Sequence, residues 1–95
     1  MKMAGLGKKK IAVIVRQRTD EALRMALGLT LFDDRVDVYL TGAGPARTEQ
    51  NRMNMEMLRA MGAGLFSLCE ADEFTRVDED AMPGLLLGYE VVIAY

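Results

Sequence analysis

The sequence predicts an α/β fold: a single domain over residues 1–95, arranged as three layers α/β/α around a small, mainly parallel sheet of four or five strands. Three observations predict it. Runs such as "IAVIV" at 11–15 and "VVIA" at 91–94 are continuously apolar and β-branched, as strands buried on both faces are. Segments with helical periodicity separate those runs, and that alternation implies parallel strands joined by crossovers, with helices on both faces. A 95-residue chain is long enough for one modest core without metals or disulfides.

Each element follows in order. "KKIAVIVR" (9–16) reads as the first strand. "RTDEALRMALGLTLF" (18–32) is a helix with Thr19 as its N-cap and Asp20 and Glu21 favourably placed in its first turn. Ala22, Leu23, Met25, Ala26, Leu27 and Leu29 give it a broad apolar face. "FDDR" (32–35) is a turn, and "RVDVYLT" (35–41) is the second strand. After the loop "GAGP" (42–45), "ARTEQNRMNMEMLRAM" (46–61) forms the second helix, ended by Gly62 or Gly64. Met53, Met57, Ala60 and Met61 share one stripe of it, and Met55 and Leu58 lie on another. One stripe is needed for the sheet, which leaves a surplus for a partner subunit. "GLFSLC" (64–69) is the third strand. "EADEFTRVDED" (70–80) is irregular, with a helical turn. "AMPGLLLGY" (81–89) is a short helix with Pro83 in its first turn, and "EVVIAY" (90–95) is the last strand. A small open sheet has two edges that invite pairing, so a homo-oligomer is expected.

Composition narrows the chemistry. There is no histidine, which removes the commonest general base and metal ligand, and there is one cysteine, which excludes an internal disulfide. No metal site and no cofactor is expected. No segment approaches a membrane span, and a cytoplasmic protein is expected. Of the 14 acids half lie at 70–95, where Arg76 is the sole basic residue. The basic run Lys8, Lys9, Lys10 has no aromatic neighbours, so no nucleic-acid surface is expected.

In open parallel sheets, ligands sit at the carboxyl ends of the strands. Three features should meet there: Arg16 and Arg18 after the first strand, "TGAGP" after the second, and Cys69 at the end of the third. Thr41, Gly42 and Gly44 shape a loop with two readings, a plain strand-to-helix turn or a set of backbone N–H groups suited to an anion. Arg16 is suited to an anionic group or to stabilising a thiolate. Cys69 has two readings, a small hydrophobe in the core or a reactive thiol. Its neighbours Glu70, Asp72 and Glu73 oppose a thiolate, so the second reading requires a cation from elsewhere.

The ordered set "IAVIV", "EALRMALGLTL", "VDVYLTGAGP", "LRAMGAGLFSLC" and "YEVVIAY" resembles the DsrE/DsrF-like family, which includes sulfur-relay subunits. The likeness spans nearly the whole chain. It implies an α/β/α fold, assembly into trimers or hexamers, and a cysteine persulfide passed from a sulfur-donor protein to an acceptor protein. Cys69 falls at the position of the family's sulfur carrier. The chain departs just afterwards: the family often continues with small residues and Arg-Gly, where this chain has "EADEFTRVDED". Some members lack an active cysteine and serve as binding or scaffolding subunits.

Overall fold

A computed structural model describes residues 9–32, 35–42, 44–71 and 73–95. Lys8 of the basic run, Asp33 and Asp34 of the expected turn, Ala43 of the "TGAGP" loop, and Asp72 lie outside the described residues. The elements are β1 (Lys10–Val15), α1 (Thr19–Thr30), β2 (Arg35–Leu40), α2 (Glu49–Ala60), β3 (Gly64–Ser67), β4 (Thr75–Arg76), a 3-10 turn (Glu79–Ala81), α3 (Met82–Leu86) and β5 (Val91–Ala94). The five strands form one sheet in the order β4-β3-β2-β1-β5, and every pairing is parallel.

The apolar runs explain the sheet. β2 lies at its centre, and all its residues after Arg35 are buried. Alternate β2 side chains serve opposite faces. Val36, Val38 and Leu40 join Val13, Val15, Leu23, Ala26, Leu58 and Leu65 in the larger core, under α1 and α2. Tyr39 joins Ala12 and Met82 on the other face, under α3. Helices therefore cover both faces, in three layers.

Three local expectations are corrected. Thr19 is not the N-cap of α1: Arg18 occupies that position without a side-chain cap, and Thr19 Oγ1 instead donates to the Gln17 carbonyl at 3.3 Å. The second helix starts at Glu49 rather than 46, because Thr48 caps it and accepts from the Asn51 N–H at 3.1 Å. The third strand ends at Ser67, so Cys69 lies in a bend two residues beyond it.

Gly62 ends α2 as expected. Its φ of +89° is the left-handed value that glycine adopts without strain. The Gly62 N–H bonds the Arg59 carbonyl and the Ala63 N–H bonds the Leu58 carbonyl, each at 2.9 Å, which satisfies the helix end. Met55 and Leu58 are the stripe that packs on the sheet. Met53, Met57 and Met61 are the surplus, each about half exposed (45%, 50% and 48%).

β4 has no counterpart in the sequence reading, which left 70–80 irregular. It is two residues long and exposed, and only Phe66↔Thr75 and Ser67↔Arg76 define it. The helical turn expected in that segment is the one at Glu79–Ala81.

Candidate functional site

The carboxyl ends of β1, β2 and β3 carry the predicted site residues, and the sheet sorts them into two groups. The first is at β1 and β2. The Thr41 N–H and Oγ1 both donate to the Val15 carbonyl, at 3.0 Å each, which fixes the exit of β2 against the end of β1. A Cβ on Gly42 would come within 3.2 Å of the Arg16 carbonyl oxygen, so the two loops run in close contact there. Arg16 is exposed, and its N–H donates to the Tyr95 carbonyl at 3.0 Å.

The second group is at β2 and β3. A Cβ on Gly44 would meet the Ala71 Cβ at 3.3 Å, so the loop after β2 touches the loop after β3. Cys69 is exposed, its sulfur a free thiol, and its N–H donates to Ser67 Oγ at 3.2 Å. Cys69 thus lies outside the core of the single chain. β2 separates the ends of β1 and β3, so Arg16 stands two strand spacings, about 10 Å, from the strand that leads to Cys69. The strand beside β3 carries a cation that the sequence reading left out of the site. Arg76 Nε donates to the Leu68 carbonyl at 3.1 Å, holding its guanidinium beside the residue that precedes Cys69. Its signal was faint: one basic residue in an acidic tail, on a strand too short to recognise.

Between these loops lies a cleft of about 710 Å³. One wall is the loop 44–48 with the first turns of α2. The other is formed by Glu70, Ala71, Glu73, Phe74 and Arg76. The buried Met55 and the partly buried Ala71 and Phe74, all packed on the larger core, supply its apolar floor. Charged side chains surround it: Arg47, Arg52 and Arg76 against Glu49, Glu70 and Glu73. Several are committed to each other. Arg52 pairs with Glu49 and, at 2.7 Å, with Glu56. The Glu49 hydrogen bond, then the charges of Glu49 and Glu56, raise the Arg52 pKa above its usual value. Arg59 grips the far wall, bonding both the carboxylate of Glu73 and, at 2.9 Å, its carbonyl. Glu73 is held at a φ of +75°, a strained value for a residue with a side chain.

Across the first loop, Asn51 is buried on α2. Its Nδ2 donates to Asp20 at 2.8 Å and to the Ala46 carbonyl at 2.9 Å. This ties the start of α1 to the wall of the cleft. Of the expected loop residues, Gly44 lines the cleft; Arg16, Thr41 and Gly42 do not.

A second polar cluster sits on the α3 face, away from the carboxyl edge. Asp37 is 2% exposed. Its Oδ1 accepts the Gly64 N–H at 2.8 Å and Arg35 Nε at 3.4 Å, and its Oδ2 accepts the Tyr89 hydroxyl at 2.5 Å. Tyr39 and Tyr89 hydroxyls lie 2.8 Å apart, and Lys10 Nζ is 4.8 Å from the Tyr89 ring centre. Burial, then the hydrogen bond to Asp37, pushes the Tyr89 phenol far above its usual pKa.

Among the described residues no group of three metal-ligating side chains comes together, and no helix is long and apolar enough to cross a membrane. No family model, no curated protein and no solved structure matches the chain.

Proposed function

We propose that the protein is a sulfur carrier of the DsrE/DsrF-like kind, in which Cys69 accepts and releases a sulfane sulfur atom. The observation that carries this reading is the exposure of Cys69 at the carboxyl edge of a parallel sheet. Cys69 thiolate attacks the terminal sulfur of a donor protein's persulfide. The sulfur–sulfur bond of the donor breaks, the donor thiolate leaves, and Cys69 holds the new persulfide. An acceptor protein's thiolate then attacks that terminal sulfur and returns Cys69 as thiolate. Each step moves one sulfur atom, conserves oxidation level overall, and needs no external cofactor.

A thiolate is favoured by a nearby positive charge. The cations this reading offers are Arg76, whose Nε bonds the Leu68 carbonyl, and Arg16 at the end of β1. The reading also carries a homo-oligomer, trimer or hexamer, with the exposed Met53, Met57 and Met61 of α2 in the contact, and a cytoplasmic setting that keeps the thiol reduced.

The test is to mix reduced protein with a persulfidated donor protein and weigh it intact. A gain of one sulfur atom that is absent in Cys69→Ser, whose circular dichroism is unchanged, supports the reading. Failure of the native protein to gain sulfur from any donor, with its thiol verified as reduced, removes it.

A further inference from the structure

The cleft between α2 and the loop after β3 has a chemistry of its own, and it shares Arg76 with the sulfur reading. Its volume of about 710 Å³ falls in the range of sites for small organic molecules. Its floor is apolar, and its charged lining among the described residues is three arginines and three glutamates. Pairing then decides which charges are on offer. Glu49 is taken up by Arg52, and Glu73 by Arg59. Glu70 makes no ion pair among the described residues, and the Arg76 guanidinium is bonded there only through Nε, to the Leu68 carbonyl. The two do not pair with each other. One wall thus carries a carboxylate and a guanidinium, opposite in sign and six residues apart, with Phe74 between them in the chain.

We propose that this cleft binds a small zwitterion of amino-acid or short-peptide type, its ammonium at Glu70, its carboxylate at Arg76 and an apolar side chain on the floor formed by Met55 and Phe74. The guanidinium supplies a planar pair of donors for a carboxylate, and the glutamate accepts from an ammonium. The Arg59 grip on Glu73 holds the wall in shape before any ligand arrives, which lowers the ordering cost of binding. A free amino acid and a peptide end share this chemistry.

The experiment is an NMR titration of isotopically labelled Cys69→Ser protein with L-leucine and, separately, with L-leucyl-L-leucine. Using the serine variant keeps ligand binding apart from sulfur transfer, which is read separately on the native thiol. Saturable shifts confined to residues 44–48 and 70–76 are expected, and the tighter of the two ligands identifies free amino acid or peptide as the source. N-acetyl-L-leucine and L-leucinamide should each bind more weakly. Glu70→Gln should weaken leucine about threefold to tenfold and leave the N-acetyl compound unchanged; Arg76→Gln should do the same with the amide as the insensitive ligand. Arg76→Lys keeps the charge and guards against a fold defect at β4, and it should recover part of the loss. Absence of saturable shifts with both parent ligands overturns the proposal. Equal binding of leucine and its two blocked forms overturns it as well.

Discussion

Asp37 is a carboxylate buried in the centre of a sheet, and such a group persists only where its oxygens are satisfied. Three donors from three parts of the chain do this: the Gly64 N–H, Arg35 Nε and the Tyr89 hydroxyl. Tyr89→Phe removes one of them and leaves a buried acceptor short. A loss of about 1–3 kcal/mol in denaturant unfolding is expected. The raised pKa of Tyr89 also has a pH signature. A group whose pKa is higher in the folded state contributes stability that is complete below its unfolded value, about 10, and is lost as pH rises beyond it. Native stability should therefore fall above about pH 10, and Tyr89→Phe should flatten that alkaline decline. Gly64 is equally constrained. A Cβ there would lie 2.5 Å from Phe66 Cε2 and 2.8 Å from Asp37 Oδ1, so Gly64→Ala should destabilise by about 1–3 kcal/mol, read as a lowered melting temperature.

At the scale of elements, α2 shows most clearly how local chemistry and tertiary contact divide the work. Thr48 caps its start and Gly62 closes its end, both within a few residues of sequence. Thr48→Ala should cost about 1 kcal/mol through the lost cap, measurable as a shift in the denaturation midpoint. The Gly62 stop was readable in the sequence and the Thr48 cap was not, since the helix was expected to start at 46. The strands β1, β2, β3 and β5 were readable as short apolar or alternating runs between helical segments. β4 was not, since a two-residue strand exists only through its pairing with Phe66 and Ser67. The cap of α1 was misread for a related reason. Thr19 has the right side chain, but its hydroxyl bonds backward to Gln17, and Arg18 takes the capping position. Of the candidate site, the sequence placed Cys69 and the loops near one edge. It left Arg76 and Asp37 out, because their partners lie 8 and up to 52 residues away in the chain.

For the molecule as a whole, the two layers of helices are unequal. α1 and α2 cover one face with two 12-residue helices, while α3 contributes five residues to the other. The thicker layer carries an apolar stripe on its outer side, Met53, Met57 and Met61 at successive turns of α2. If oligomers form through that stripe, Met57→Glu, at its centre, should convert them to monomers with the fold retained. Light scattering coupled to size exclusion, with circular dichroism on the same fractions, checks this. An unchanged mass would move the contact elsewhere.

The strand order β4-β3-β2-β1-β5 has a consequence in time as well as in space. From β1 to β4 the chain lays each strand beside the one before. β5 breaks the sequence. It must travel back across the full width of the sheet, four strand spacings or about 19 Å, to reach β1. On a ribosome the first three strands and both long helices emerge together and can nest by neighbouring contacts. The far side of β1 stays open until β5 is made. The same return brings Tyr89 to Asp37 and places β5 against β1, the earliest of the five strands in the chain.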